Sequence, residues 1–82
     1  MQQYPVYRKY KGLNVWFKII SDRSFIELKK LGERWIKHEV EAKQYPEIVL
    51  IQDMLRCADD RWEPMSADLF EEILNKSKPK NE

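Results

Sequence analysis

The chain has 82 residues, of which 43% are hydrophobic and 35% charged, and its net charge is +1. This length allows one domain with a small core, and the hydrophobic content is too high for a disordered chain. A single cysteine excludes an internal disulfide, and the longest apolar run, residues 48–51, is far too short to span a bilayer. We therefore expect one domain over residues 1–76, a disordered tail over 77–82 and a cytoplasmic location.

Charge is unevenly distributed along the chain. Residues 1–40 contain nine basic and four acidic residues, whereas residues 41–74 contain three basic and nine acidic ones. Two oppositely charged layers of one small domain would attract each other, and we favour this explanation. The alternative is that the basic half presents a contact surface to a partner.

The first quarter of the sequence predicts two strands. Residues 4–10 form a weak strand, and Pro5 places it at the edge of a sheet because proline cannot donate to a strand ladder. A turn at Gly12 leads to a clearer strand over residues 14–20. The two faces of that strand carry Val15, Phe17 and Ile19, and Trp16, Lys18 and Ile20.

Residues 24–43 allow two interpretations. Ser24 and Glu27 have the spacing of a capping box that opens a long helix, but Gly32 would then lie inside the helix at a cost of roughly 1 kcal/mol. A hairpin of strands 25–31 and 34–42 instead uses Gly32 at its tip, and we predict the hairpin. The apolar pattern then predicts one shared face for Ile26, Leu28, Ile36, Val40 and Ala42.

The sequence from residue 45 onward predicts a helix. Pro46 suits the first helical position, and Glu47 places an acid in the first turn. A helical stripe follows at Ile48, Ile51 and Leu55, although the β-branched residues leave a fifth strand as the alternative.

A second helix is expected near the C-terminus. Residues 61–65 precede it as a short extended segment, because residues before Pro64 avoid the helical region. Ser66 caps the helix, whose apolar stripe is Leu69, Phe70, Ile73 and Leu74. The predicted fold is α+β, a four-stranded antiparallel β-meander followed by two C-terminal α-helices packed on one face.

The residue types that carry catalysis or bind metals are sparse. Both glycines are isolated, so no phosphate-binding loop is present, and one cysteine with one histidine cannot form a zinc site. A Cys57–His38 nucleophile pair is formally possible, but both positions fit apolar packing better. The spacing of one cluster of carboxylates does not match an EF-hand calcium loop: Asp53, Asp59, Asp60 and Glu63. We expect no enzyme activity, cofactor, metal or small-molecule substrate.

Aromatic and basic residues are interleaved in the first half. Trp, Tyr and Arg are enriched at protein interfaces, and the edge strand 4–10 could pair with a partner strand. We therefore expect a non-catalytic binding module that contacts a partner protein or forms a homodimer. The alternative is a nucleic-acid-binding module in which rings stack on bases beside cations. The surface predicted for either role comprises Tyr7, Lys9, Lys29, Trp35 and Lys37.

Five short stretches between residues 25 and 70 carry a resemblance. They are Phe25-Ile26-Glu27-Leu28, Val40-Glu41-Ala42-Lys43 with Tyr45-Pro46-Glu47, Ile51-Gln52-Asp53-Met54-Leu55, and Trp62-Glu63-Pro64-Met65. In these stretches the chain resembles small uncharacterised bacterial proteins of unknown function. The resemblance implies the hairpin and a bacterial cytosolic setting, and it implies no activity, ligand or catalytic residue.

Overall fold

A computed structural model describes residues 3–76 and 78–79. Its elements are β1 (Val6–Tyr10), β2 (Val15–Ser21), β3 (Ser24–Leu31), β4 (Arg34–Glu41), α1 (Tyr45–Arg56), a 3₁₀ turn (Ala58–Asp60), β5 (Trp62–Pro64), α2 (Ala67–Lys76) and β6 (Lys78–Pro79). The strands form one sheet in the order β5-β1-β2-β3-β4-β6. All neighbours are antiparallel except β4 and β6, which pair in parallel. The α+β class is confirmed.

The β3–β4 hairpin confirms the interpretation that used Gly32 as a turn residue. Leu31 pairs with Arg34, so Gly32 and Glu33 form a two-residue loop. Gly32 has a φ of +64°, a conformation that glycine adopts without the steric cost other residues incur. The long helix considered for this segment is therefore wrong.

The side chains that share a face of the hairpin differ from those predicted. The two-residue loop sets Leu28 opposite Lys37 and Ile26 opposite Glu39. Because directly opposed residues share a face, Ile26 and Leu28 lie with Trp35 rather than with Ile36 and Val40. The apolar pattern alone did not fix the register, and a one-residue difference in register moves every side chain to the other face.

The sheet has five antiparallel strands and not the four that we predicted. The segment predicted only as extended forms β5, which pairs with the outer side of β1 through Arg8–Pro64, Lys9–Glu63 and Tyr10–Trp62. The amide of Lys11 also donates to the carbonyl of Arg61 at 2.8 Å. β1 is therefore not an edge strand, and its backbone is not free to pair with a partner as we expected.

The two helices pack on opposite faces of the sheet, which corrects the predicted packing on one face. One apolar cluster joins Phe17, Ile19 and Phe25 to Ile51 and Met54 of α1. We call that side the α1 face. A second cluster joins Trp16 and Leu28 to Phe70 of α2 on the other side, the α2 face.

The sequence of β2 explains why both faces are covered. Phe17 and Ile19 point to one side while Trp16 points to the other, and all three are buried. A strand that is apolar on both faces needs cover on both. The short strand β5 carries the chain along the β1 edge of the sheet between α1 and α2.

Neither α1 nor α2, the helices of the described residues, is long and apolar enough to cross a bilayer. The tail predicted to be disordered, residues 77–82, lies outside the described residues except for Lys78–Pro79, whose backbone pairs with β4.

Replacing Phe70 should test the second apolar cluster. Its side chain is fully buried, so Phe70→Ala is expected to lower the free energy of unfolding by roughly 3–5 kcal/mol. Leu69, the preceding residue, is 45% exposed, and Leu69→Ala is the matched control with a change of about 0.5 kcal/mol or less. Urea denaturation followed by circular dichroism measures both values. Equal losses in the two variants would contradict packing of α2 on the sheet through Phe70.

Candidate functional site

Helix α1 is held against the sheet by Arg8 of β1. The guanidinium donates from Nε to the carbonyl of Met54 at 2.9 Å and from Nη2 to the carbonyl of Leu55 at 3.2 Å. These carbonyls belong to the last turn of the helix, where the regular helical donors run out and the helix dipole favours a cation. The carbonyl of Met54 also accepts from the amide of Cys57 at 3.2 Å. Arg8 therefore anchors the C-terminal end of α1 over β1.

The position of α1 leaves part of its sheet face uncovered. The apolar cluster beneath α1 includes residues of β1, β2 and the first part of β3. Toward the end of the β3–β4 hairpin lies an open groove, which we call the hairpin groove, lined by Glu27, Lys29, Leu31, Ile36 and His38. Two cross-strand pairs, Glu27–His38 and Lys29–Ile36, are part of this lining.

The hairpin groove combines apolar and charged side chains. Leu31 is 51% exposed, and Ile36 is half-buried. Lys29 is exposed, whereas Glu27 and His38 are half-buried. No ion pair involves Lys29 among residues 3–76. The groove can therefore bury an apolar side chain of a ligand. The Lys29 ammonium can pair with a negative charge on the same ligand.

On the α2 face, three polar side chains join the helix to the sheet. The Tyr7 hydroxyl donates to Glu71 Oε2 at 2.6 Å, and Lys18 Nζ lies 2.6 Å from the same oxygen. The Tyr7 ring also meets the Phe70 ring edge to face at 5.4 Å. These contacts bind the basic half of the sequence to its acidic half.

The pKa values of this cluster follow from its contacts. The hydrogen bond from Lys18 and then that from Tyr7 lower the pKa of Glu71 below its usual value. Burial, followed by the hydrogen bond to Glu71 and the charge of that carboxylate, raises the pKa of Tyr7 to about 12. The folded state therefore favours an ionised Glu71 and a neutral Tyr7.

The five residues predicted as a surface do not share one. Tyr7 is engaged by α2, and the Trp35 ring packs on Trp16 with 4.4 Å between centroids. Lys9 and Lys37 lie on the same side of the sheet and pair with Glu63 at 3.8 Å and Glu39 at 3.2 Å. Lys29 faces the opposite side, in the hairpin groove.

The residues considered for catalysis are also separated or paired. His38 lines the hairpin groove, whereas Cys57 ends α1 and packs beside its apolar cluster. Each member of the carboxylate cluster contacts a cation, in the pairs Asp53–Arg56, Asp59–Arg61, Asp60–Lys11 and Glu63–Lys9. A search of the described residues found no group of three or more His, Cys, Asp or Glu side chains that could hold a metal ion.

The sequence pattern did not single out the hairpin groove. The predicted facing of the hairpin puts Ile36 with Ile26 and Leu28, on the side away from Lys29, whereas the structure pairs Lys29 with Ile36. Their common face depends on the hairpin register, and the signal that could have set it was the two-residue loop at Gly32–Glu33.

Comparisons with protein-family models, with curated proteins and with solved structures found no match to this chain. The resemblance to small bacterial proteins stays a prediction.

The raised pKa of Tyr7 can be checked by titration. Of the four tyrosines, we expect one to ionise near pH 12 in the folded protein, and Tyr7→Phe should remove that step. Glu71→Gln should lower the pKa of Tyr7 without restoring its ordinary value, because burial still disfavours the phenolate. Ultraviolet absorbance of tyrosinate measures the steps, with circular dichroism monitoring the fold. Identical high-pH titration of the wild type and Tyr7→Phe would contradict the assignment.

The lowered pKa of Glu71 predicts a pH-dependent contribution to stability. Its contribution is complete above the unfolded-state pKa of about 4.3 and is lost as the pH falls through the lower folded-state pKa. At neutral pH, Glu71→Gln should cost roughly 1 kcal/mol, since the carboxylate is partly exposed. Urea denaturation across the acid range should show this difference shrinking. Glu72→Gln, which affects an exposed pair with Lys76, is the control and should show little change at any pH.

Proposed function

We propose that this chain is a non-catalytic binding module that acts through protein–protein contact at the hairpin groove. The observation that carries the proposal is the incomplete cover of the α1 face, which leaves Leu31 and Ile36 accessible between charged walls. The occupant is a separate protein or a second copy of the chain. In keeping with the single cysteine and with the resemblance noted above, we place the module in the bacterial cytoplasm.

The lining of the hairpin groove suits a protein ligand. Burying Leu31 and Ile36 under a partner side chain removes apolar area from water, which contributes about 25 cal/mol for each Å² before the entropic cost of association is subtracted. The Lys29 ammonium would pair with a carboxylate of the partner. This pair would determine the orientation of the partner in the groove more than its affinity. A partner that presents an apolar side chain next to an acid fits this arrangement.

Nucleic-acid binding receives less support from the contacts on the α2 face. That interpretation required Tyr7 and Trp35 as stacking rings beside free lysines. Tyr7 is instead bonded to Glu71, Trp35 packs on Trp16, and Lys18 pairs with Glu71. Two of the lysines predicted for this surface also have acidic partners, in the pairs Lys9–Glu63 and Lys37–Glu39.

Photo-crosslinking at two matched leucines tests the proposal. Leu31 in the hairpin groove and Leu13 in the β1–β2 turn have similar exposure, 51% and 54%. A photoreactive phenylalanine analogue at position 31, introduced in the full chain in its native cells, should give a discrete adduct that nuclease does not remove. Position 13 should give none. Mass spectrometry identifies the adduct as a distinct protein or as the chain itself.

Point variants supply the second measurement. Leu31→Glu should reduce capture of the crosslinked partner by about tenfold or more, because a charge in the contact leaves apolar groups unpaired and a carboxylate desolvated. Leu13→Glu should leave capture unchanged. An equal loss in both variants, no adduct at position 31, or an adduct destroyed by nuclease would each overturn the proposal, and the last would favour the nucleic-acid alternative.

A further inference from the structure

The outer edge of β4 has backbone groups that alternate in direction. In an antiparallel pair, every second residue directs its N–H and C=O to the neighbouring strand, and the residues between direct theirs away. The amide of Ala42, just after β4, donates to the carbonyl of Arg23 at 2.6 Å. Counting back from Ala42 in twos, the even-numbered residues of β4 face β3. The outward-facing residues are therefore Trp35, Lys37, Glu39 and Glu41.

One half of this edge already holds an extended segment. Lys78–Pro79 pairs in parallel with β4 at Ile36 and Lys37. The pairing shows that the edge accepts a strand on this side. Among the described residues, no strand pairs with the other half of the edge, at Glu39 and Glu41, which we call its free half.

The free half of the edge lies beside an acidic cleft. Ile20, Ser24, Phe25 and Val40 line the cleft together with Glu39 and Glu41. Both glutamates are exposed, and Lys37 contacts Glu39 at 3.2 Å. A strand added along this edge would place alternate side chains opposite the two carboxylates, where like charges repel and opposite charges attract.

We propose that the free half of the β4 edge, at Glu39 and Glu41, binds an extended basic peptide by strand addition. The backbone groups of Glu39 and Glu41 supply hydrogen bonds to the peptide main chain, and their carboxylates select lysine or arginine at alternate positions. This surface is separate from the hairpin groove and involves a different kind of recognition. Repulsion from the two carboxylates disfavours an acidic strand, so the edge does not pair equally with every extended segment.

A designed peptide provides the test. The probe is acetyl-Lys-Val-Lys-Val-Lys-Val-amide, and the full chain is observed by amide NMR and hydrogen exchange. In the free protein, the amides of Glu39 and Glu41 should exchange faster than those of His38 and Val40, which face β3. Adding the probe should shift the Glu39 and Glu41 resonances and slow their exchange. A probe with N-methylated backbone amides should lose these effects, because it cannot donate to the edge.

Charge-reversal variants distinguish the effect of the two edge carboxylates from the effect of the net charge of the protein. The double variant Glu39→Lys with Glu41→Lys should weaken binding of the basic probe by about tenfold or more and should gain binding of a Glu-Val probe of the same length. The control, Glu33→Lys with Glu72→Lys, makes the same change in net charge elsewhere and should bind the basic probe within about twofold of wild type.

The outcomes that would overturn the proposal are distinct. If the N-methylated probe bound as tightly as the basic probe, charge alone would account for binding and strand addition would be ruled out. If the basic probe did not bind at millimolar concentration, the edge would not be a peptide-binding site. Slow exchange at Glu39 and Glu41 without any probe, together with a dimer in sedimentation, would assign the edge to a second copy. Leu31→Glu should leave probe binding unchanged, so the result here does not depend on the fate of the hairpin groove.

Discussion

The two-sided apolar character of β2 is the constraint on which the rest of the structure depends. Phe17 and Ile19 require cover on one face of the sheet and Trp16 requires it on the other, so one helix cannot protect the strand. Helix α1 takes the first face and α2 the second. The chain passes from one to the other through β5, which closes the β1 edge. Edge closure and the placement of both helices thus have one cause.

The same arrangement accounts for the uneven charge of the sequence. The basic strands and the acidic helical half meet in the pairs Lys18–Glu71, Lys9–Glu63 and Lys11–Asp60. The sequence favours attraction between two layers as the explanation, and the pair Lys18–Glu71 joins a strand to a helix in this way. Glu63 lies in β5 of the same sheet as Lys9, and Asp60 lies in the 3₁₀ turn. Lys9, Lys11 and Lys18 thus pair within the domain, whereas no ion pair involves Lys29 among residues 3–76. The two surfaces that we propose for partners are the uncovered end of the hairpin and the outer edge of β4. Both belong to the β3–β4 hairpin, which extends beyond the cover of α1.

The elements themselves were largely predictable from local chemistry. Gly32 indicated the hairpin turn, Pro46 and Glu47 the start of α1, and Ser66 the start of α2, and the elements formed at these positions. These signals act within a few residues, so they can be interpreted without knowing the rest of the molecule. Two features could not be predicted in this way: the pairing of β5 with β1 and the opposite placement of the helices. The shared face of Leu31 and Ile36 follows from the two-residue loop at Gly32–Glu33, but the apolar pattern pointed to the other facing.

The sequence by itself determined the α+β class, the positions of strands and helices, and the scarcity of residues suited to catalysis. Only the tertiary structure decided which residues lie together. The reason is that layer order depends on contacts between residues far apart in the chain, such as Lys9 with Glu63 and Tyr7 with Glu71. Contacts of this kind turned Tyr7 from part of a predicted contact surface into part of the packing around α2, and Trp35 packs on Trp16. The hairpin pairing brought Glu27, Leu31 and His38 to one groove.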